Sequence, residues 1–410
     1  MSFFFSRDTK VFMKFHASAD GTDDALYEIP VLDGFSFSQA TNSTEVTLNE
    51  AADSSGNSKR GRAMFNDSFA PAEWSFSTYM RPSVSDSSDT YTIASGEGSH
   101  AGNAKKFAVE GPLWAAMSAT TYNLGVGGTG APTLSSFEPN AFNFQNSNKV
   151  ALGVFDLFFV LGASKDTDGT YTSGSGGVMI YKIESCSIGS ASIDFDIEGI
   201  AQVAWSGNGK LITEQATLNT AAGQASTKGL INEGISSTTN FIRQKLTDLA
   251  IAYDASESTG DTTGIGSSDI TYSLTLTGGN ITIENNLTYL TPESLGTVNQ
   301  PLGHVMGTRS VSGNFTCYLN DVSNGSADLF ENLVESTGLI TNAFALTFGI
   351  GGSGNTPSVD VAIPKAHLEL PSHSIDDVIG IEVNFHGLSS DLSSATASSS
   401  ANEVSITYDA

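Results

Sequence analysis

Three acidic residues with alternating spacing are the arrangement in this chain closest to a catalytic carboxylate pair. Asp194, Asp196 and Glu198 lie in the run ASIDFDIEGIAQVAW at 191–205. On a β-strand, acids two residues apart share one face about 7 Å from each other, within the range that glycosidases use. The same spacing is typical of the solvated face of an antiparallel strand, and no nucleophile with a neighbouring base accompanies it. We therefore interpret the three acids as a solvent-facing row.

Other motifs that could carry chemistry are weak. The six histidines form no HxxxH or HxH pair, and no GxSxG, GxxxxGK[ST] or post-strand GxGxxG motif occurs. DTDGT (166–170) and ADGTDD (19–24) resemble the start of a calcium loop but lack the other ligands of an EF-hand. Cys186 and Cys317 have neither zinc-site spacing nor the pattern of a disulfide framework. The sequence predicts no catalytic residue, no metal site and no cofactor.

The charge balance limits the possible partners. The 410 residues include 44 acidic and 18 basic ones, for a net charge of −26. Such a chain repels nucleic acid, because phosphate binding needs clustered Lys and Arg. The opening MSFFFSRDTK lacks the apolar core of a signal peptide, and VALGVFDLFFVLGA (150–163) is too short to span a bilayer. We expect a soluble product made in a cytoplasm, without membrane insertion.

Period-two alternation of apolar and polar residues predicts a mainly β fold. KVFMKFH (10–16) and FSFSQA (35–40) place apolar side chains on one face only, as half-buried antiparallel strands do. GPLWAAMSAT (111–120) and SADLFENLVEST (326–337) are the only helical patterns, the second with a serine N-cap. TTNFIRQKLTDLAIAYD (238–254) has the spacing of a helix in its first part and the alternation of a strand in its last part, and we prefer an extended segment followed by a strand.

Five short matches recur in the same order in both halves of the chain, which indicates a duplication. They are LYEIPVLDG (26–34) with TYSLTLTGG (271–279), FSTY (76–79) with FTCY (315–318), LWAAM (113–117) with LFENL (329–333), NAFNF (140–144) with NAFAL (342–346), and VAWSG (203–207) with VNFHG (383–387). We predict two tandem β-sandwich or barrel domains with one short helix each, at 1–215 and 241–410, joined by a linker at 216–240. The extra residues of the first copy read as surface loops at 83–107, 120–136 and 164–177.

A series of short motifs within 29–82 gives the chain a recognisable signature. They are Asn42–Glu45, Asn49-Glu50-Ala51, Arg60-Gly61, Phe65–Ser68 and Glu73–Tyr79. The series resembles the N-terminal region of major tail tube proteins of long-tailed, siphovirus-type bacteriophages, most closely the type with two tube domains in one chain. NFIRQKLTDLAIAYD resembles the opening of the second tube domain of that type. Some members append an immunoglobulin-like domain, but here ANEVSITYDA (401–410) parallels KLITE (210–214) as a final strand, so no such domain is expected.

The resemblance implies a structural virion protein that polymerises. In that family, strands of neighbouring domains join into an inner barrel, and a two-domain chain gives a trimeric, pseudo-hexameric ring. Rings stack into a hollow filament that conducts DNA to the host. The implied partners are further copies of the chain, the tape measure protein inside the tube, and the tail tip and terminator proteins at its ends. Genomic DNA passes through without specific binding.

The acidic row gains a role from this resemblance. Asp194, Asp196 and Glu198 become candidates for lumen-facing acids that repel passing DNA. The repulsion acts within a Debye length of about 8 Å, which suits a narrow bore.

A second set of residues falls in the long loop 42–72 that the family uses for contacts between subunits. The candidate assembly contacts are Arg60, Arg62, Phe65, Asn66 and Asp67. The basic cluster from Lys59 to Arg62 either docks on an acidic neighbour or consists of solvated loop charges, each worth under ~1 kcal/mol as an exposed ion pair.

Three alternatives share parts of this pattern. A β-rich adhesin or carbohydrate-binding module has a similar composition but should show a signal peptide or clustered aromatic residues, and neither is evident. An enzyme on a β-sandwich lacks a nucleophile and base. The tube of a contractile tail is also related, and the duplication favours the non-contractile type.

Reversing the charge of Arg60 and Arg62 to Glu tests the docking interpretation of the basic cluster. We expect impaired filament formation with an unchanged unfolding transition, because loop charges contribute little to the stability of a subunit. Electron microscopy and chemical denaturation measure the two effects. Normal filaments from this variant would contradict docking and support the interpretation of these residues as solvated loop charges.

Overall fold

A computed structural model describes most of the chain. The described residues are 4–15, 25–46, 54–55, 63–85, 105–118, 141–145, 152, 154–162, 169–220, 241–254, 268–292, 295, 298–335, 343–355, 357–375, 378–389 and 402–409. Two helices are present among them, α1 (Gly111–Ser118) and α2 (Ser326–Glu335), with single 3-10 turns at Ser6–Asp8 and Gln244–Leu246. The remaining regular structure is β.

Fifteen described strands belong to the first half of the chain and eleven to the second. The first are β1 (Lys10–Phe15), β2 (Ala25–Ile29), β3 (Ser36–Ser38), β4 (Thr41–Val46), β5 (Ala63–Phe69), β6 (Ala72–Tyr79), β7 (Pro82–Ser85), β8 (Lys105–Ala108), β9 (Ala141–Gln145), β10 (Phe155–Leu161), β11 (Thr170–Thr172), β12 (Met179–Asp196), β13 (Gln202–Gly209), β14 (Ile212–Glu214) and β15 (Thr217–Asn219). The second are β16 (Asp248–Tyr253), β17 (Ile270–Ser273), β18 (Leu276–Glu284), β19 (Leu287–Leu290), β20 (Gly303–Met306), β21 (Ser310–Tyr318), β22 (Phe344–Ile350), β23 (Ser358–Leu368), β24 (Ser372–Ile375), β25 (Ile379–Gly387) and β26 (Asn402–Asp409).

One long antiparallel sheet runs through both halves. Its strand order is β3–β6–β13–β12–β18–β21–β25–β24, and we call it the polar sheet. The two halves meet in the middle of this sheet, where Ser190–Asp196 of β12 pair with Gly278–Glu284 of β18. The mainly β fold is therefore confirmed, and the halves share backbone hydrogen bonds.

A second layer covers the apolar side of the polar sheet. In the first half it has the order β2–β1–β10–β12–β14, and in the second half β17–β16–β22–β23–β26, with β9 of the first half added beside β26. The long strand β12 belongs to both layers, pairing with β10 up to Cys186 and with β13 from Ser187 onward. Since β23 likewise pairs with both β22 and β25, each half is closed by a strand that passes between the layers.

The core lies between the two layers because alternate residues of each strand are apolar. Trp74 of the polar sheet contacts Phe155 of the covering layer at 6.0 Å between ring centroids. In the second half Phe348 contacts Phe385 at 5.6 Å and Phe195, from the first half, at 5.5 Å. Burial of these aromatic faces supplies the main free energy that holds the layers together.

The strand pairings of the two halves follow one scheme. In the first, β1 pairs with β2 and β10, β10 with β12, β12 with β13 and β14, β13 with β6, and β6 with β3. In the second half, the positions of β1, β2, β10, β12, β13, β14, β6 and β3 are held, in that order, by β16, β17, β22, β23, β25, β26, β21 and β18. Three of the five sequence matches fall on strands that correspond in this scheme, and the match between 113–117 and 329–333 falls on α1 and α2, which follow the corresponding strands β6 and β21. The match between 140–144 and 342–346 does not, because β9 pairs with β26 whereas β22 pairs with β16 and β23.

Several predictions about local structure can be compared with the described residues. Both predicted helices are present, and β16 follows in 238–254 as predicted, but a 3-10 turn at Gln244–Leu246 interrupts the segment expected to be extended. The segments predicted as loops contain strands at their described ends, since β7 and β8 pair at the borders of 83–107 and β11 lies within 164–177. The strand β15 occupies 217–219 of the predicted linker because it pairs with β11. Residues 19–24 and 120–136 lie outside the described residues.

Buried polar side chains also connect the halves. Trp114 of α1 donates its indole N–H to the Tyr408 hydroxyl of β26 at 2.7 Å, and this hydroxyl donates to the carboxyl group of Glu110. Glu110 also accepts from the backbone N–H of Arg81 at 3.3 Å. Burial raises the pKa of Glu110 from its ordinary 4.5 to about 7, with the hydrogen bond from Tyr408 opposing the shift. The first half is thus connected to the last described strand through a buried acid whose pKa is raised to about 7.

Replacing Glu110 with Gln tests this contact through the pH dependence of stability. Because the folded protein keeps a proton that the unfolded chain releases above about pH 4.5, wild-type stability falls as the pH rises toward about 7 and then levels off. The Glu110→Gln variant lacks this loss, so its stability relative to wild type should rise by roughly 2–3 kcal/mol between pH 5 and pH 8. Urea denaturation at both pH values measures the difference. The exposed Glu331 on α2, changed to Gln, is the control, and equal pH slopes for wild type and Glu110→Gln would contradict the prediction.

Candidate functional site: the polar sheet, its edges and its ends

One face of the polar sheet consists of small polar and acidic side chains. Alternation along each strand turns the apolar residues inward and leaves Ser, Thr, Asn and Gln on the other side, which we call the polar face. Its acids are Glu73, Asp194, Asp196, Glu284, Glu369 and Glu382. No Lys or Arg occurs in the described strand segments that form it, which are 36–38, 73–79, 190–196, 202–208, 278–284, 310–318, 367–369, 372–374 and 380–386.

Side-chain hydrogen bonds run across the polar face from strand to strand. Hydroxyl pairs join Ser36 to Ser75 at 2.8 Å and Ser190 to Ser206 at 2.7 Å. In the second half of the same face, Asn384 donates to Glu369 at 2.9 Å. This bond, followed by one with His386, lowers the pKa of Glu369. The polar groups of this face are therefore largely used to connect neighbouring strands.

The predicted acidic row lies at one end of the polar face. Asp194 and Asp196 are exposed on β12, opposite Asn280 and Gly278 of β18. Glu198 follows in the turn between β12 and β13, and the three line a cleft with Gln244. Among the described residues, no group of three or more His, Cys, Asp or Glu side chains is arranged to hold a metal ion. The prediction of lumen-facing acids stays a prediction.

A serine–histidine contact exists but is not accessible to a substrate. Ser187 Oγ lies 3.1 Å from His304 Nδ1. The Ser187 side chain is completely buried, and burial lowers the pKa of His304. The pair therefore positions β20 against β12 and gives no support to hydrolytic chemistry.

Two hairpins extend from one end of the polar sheet, which we call the hairpin end. β4 and β5 form the first and β19 and β20 the second, and they touch where the N–H of Phe69 donates to the Asn299 carbonyl at 2.9 Å. They and the segment between β19 and β20 carry large apolar side chains that are 46–103% exposed, namely Met64, Phe65, Leu290, Leu295, Val298, Leu302 and Val305. Exposed apolar groups at this density are typical of an interaction surface.

The opposite end of the polar sheet also exposes apolar residues, and we call it the turn end. These side chains are 37–62% exposed and are Ile197, Ile200, Leu246, Tyr318, Val322, Val378 and Ile379. They lie in or beside the ends of β12, β21 and β25 that are farthest from the hairpins. A single subunit therefore has an apolar surface at each end of the same sheet.

The structure describes only part of the predicted assembly contacts. Phe65, Asn66 and Asp67 lie on β5 in the first hairpin, and Phe65 is 64% exposed. The backbone carbonyl of Asp67 accepts from Asn299 N–H at 3.1 Å. Arg60 and Arg62 lie outside the described residues.

Sequence reasoning missed the second hairpin and the junction of β12 with β18. The alternation in LTYL and GHVM is short, so β19 and β20 have only a weak strand signal. The β12–β18 pairing joins residues that are 82 to 94 positions apart, from Asp196 with Gly278 to Ser190 with Glu284, and nothing local in either strand specifies its partner.

The chain is similar to a protein of known role. It is 31% identical to tail tube protein pb6 of Escherichia phage T5 over 400 residues, which cover 96% of this chain and 74% of pb6. No protein-family model matches the chain. No described helix is long and apolar enough to cross a membrane.

Gly279 at the β12–β18 junction provides a test of how tightly the halves are joined. A Cβ atom there would lie 2.4 Å from the Asn314 carbonyl oxygen and 2.7 Å from the Phe195 ring. Gly279→Ala should therefore reduce the free energy of unfolding by roughly 1–3 kcal/mol. Gly303→Ala is the matched control, because no atom lies within 4 Å of its added Cβ, and its stability should stay within about 0.5 kcal/mol of wild type. Equal stability of the two variants in denaturation would show that the junction is loose.

Proposed function

This chain belongs to the family of bacteriophage tail tube proteins, and we propose that three copies form a pseudo-hexameric ring and that rings stack into a hollow tube. The similarity to pb6 carries this proposal, because it extends over 96% of the chain and so includes both halves. The chain is a structural component of the virion. In the proposed tube it conducts DNA toward the host and has no catalytic activity, metal or cofactor.

The common pairing scheme of the two halves supports the pseudo-hexameric ring. Two units with corresponding strands, joined side by side through β12 and β18, occupy two neighbouring positions of such a ring. Three chains then supply six positions. This requires the tandem duplication, which remains part of the proposal.

The charge of the polar face supports its assignment to the bore of the tube. Six acids and no described Lys or Arg lie on this face, so that DNA phosphates would find repulsion and no ion pairs. Screening confines the repulsion to about 8 Å from the wall, which keeps DNA from adhering without opposing its passage along the axis. Asp194 and Asp196 belong to this lining in our proposal, with Glu198 at its rim.

The two apolar ends support head-to-tail stacking of rings. The hairpin end and the turn end are different surfaces of one subunit, and a contact between them is heterologous. Repetition of such a contact along the strand direction does not close and therefore gives a filament. The tape measure protein inside the tube, with tail tip and terminator proteins at its ends, are the further partners that a tail tube implies.

Electron microscopy of purified full-length protein tests the proposed function. We expect hollow filaments with a regular axial repeat, and a three-dimensional reconstruction should place the polar face on the bore. A discrete monomer that binds glycans would instead support the adhesin or carbohydrate-binding alternative. A tube with the polar face outside would contradict the assignment of the acids.

Substitution of Met64 and Phe65 by Ser tests the stacking contact. Both side chains are at least 60% exposed in the subunit, so the unfolding transition should stay within about 0.5 kcal/mol of wild type. Filament formation should require at least tenfold more protein, because apolar area is no longer removed from water at the ring interface. Val334→Ser on α2 is the control, since this residue is 51% exposed but lies on neither hairpin. Sedimentation of polymer against concentration measures the effect, and an unchanged threshold would exclude these residues from the contact.

A further inference from the structure

We propose that the junction between β12 and β18 is repeated between molecules, with Ser36 of one copy opposite Ser372 of the next. The proposal rests on the proposed function, since it concerns the lateral contact within a ring. It adds the two strands that meet and the register in which they pair.

The polar sheet has two lateral edges without a partner strand among the described residues. At one edge β3 pairs only with β6, and at the other β24 pairs only with β25. Unpaired edges of an antiparallel sheet present free backbone donors and acceptors, which are satisfied when another strand is added. The exposed Leu370, between β23 and β24, lies at the second edge with 67% of its side chain accessible.

The edge at β3 corresponds to the strand β18 at the internal junction. Phe76 corresponds to Phe315 in the repeated FSTY and FTCY motifs, so Ser75 corresponds to Asn314. Ser36 faces Ser75, and Asn280 faces Asn314. Ser36 therefore holds the position that Asn280 holds in the second half.

The edge at β24 corresponds to the strand β12 at the same junction. Val203 corresponds to Val383 in the repeated VAWSG and VNFHG motifs, so Gln202 corresponds to Glu382. Asp194 faces Gln202, and Ser372 faces Glu382. Ser372 therefore holds the position of Asp194.

The internal junction then fixes the register between molecules. Asp194 pairs with Asn280 and Phe195 with Gly279. By correspondence, Ser372 pairs with Ser36 and His373 with Phe35 of the neighbouring copy. Small hydroxyl side chains meet on the polar face in this register, and two aromatic rings meet on the apolar side, as cross-strand pairs favour.

Burial differs between the internal junction and the open edge in the way this proposal requires. Ile281 of β18 is fully buried beneath the adjoining strands. Phe37, which corresponds to it in β3, is only partly buried although its ring contacts Phe159 at 4.5 Å. A neighbouring strand along β3 would complete the cover that β12 gives to Ile281.

Cysteine cross-linking of the full chain tests the register. Ser36→Cys and Ser372→Cys are combined in one chain, polymer is collected, and a short thiol cross-linker is added. Links within one molecule are excluded, because the two positions are seven strand spacings apart, roughly 34 Å. Burial raises the pKa of Cys186 well above its ordinary value and that of Cys317 to about 12, so the native thiols stay unreactive. We expect covalent dimers and trimers and no larger species.

The control pairs Ser36→Cys with His367→Cys on the same edge. His367 faces His386 in the second half as Ser190 faces Ser206 in the first, so His367 holds the position of Ser190. At the internal junction Ser190 lies opposite Glu284, which is four residues from Asn280. In the proposed register His367 is therefore about 13 Å along the strand from Ser36, and its cross-linking should be at least tenfold lower. Each single variant polymerised alone should give no links, because the native thiols are buried. An equal mixture of Ser36→Cys and Ser372→Cys chains repeats the test with only one new cysteine in each molecule.

The outcomes separate the register from the proposed function. Filaments in which the control pair reacts as well as Ser36 with Ser372, or in which neither reacts, would overturn the register and leave the tube role intact. A covalent ladder that continues beyond trimers would support the register but contradict the three-membered ring. Wild-type protein that forms neither rings nor filaments would overturn the proposed function itself.

Discussion

The antiparallel ladder between β12 and β18 is the interaction on which the rest of the structure depends. It joins two sandwich-like halves into one eight-stranded sheet through seven residue pairs. Because side chains alternate along every strand, this continuity gives the whole molecule one polar face and one apolar face. Close packing at Gly279, beneath the Phe195 ring, shows that the ladder leaves no space for an additional side-chain atom.

The covering layer adds a second connection between the two halves. β12 and β23 pass from the polar sheet into the covering layer, while β9 of the first half pairs with β26 of the second. The Trp114–Tyr408–Glu110 chain of hydrogen bonds crosses the same boundary with its polar groups satisfied. A buried acid without such partners would cost several kcal/mol, so this contact specifies where β26 lies.

The sequence predicts the character of the fold better than its connections. Alternation identified β1, β3 and β12, and helical spacing identified α1 and α2, because these signals are local. The β9–β26 pairing and the β12–β18 junction join residues far apart in the chain, and no local pattern encodes them. The alternation of polar and apolar residues predicted that Asp194 and Asp196 lie on a solvent-facing side of the sheet. Whether that side faces the bore of an assembly depends on other molecules. The apolar hairpin end was only partly anticipated, since Phe65 was selected and Leu295 and Leu302 were not.

The orientation of hydrogen bonds in the polar sheet has a mechanical consequence. Backbone hydrogen bonds run perpendicular to the strands. In a tube built as proposed they act as hoops that resist bursting and ovalisation, while rings are held to one another by side chains alone. Such a cylinder is stiff around its circumference and compliant along its length, so it can flex without opening its wall.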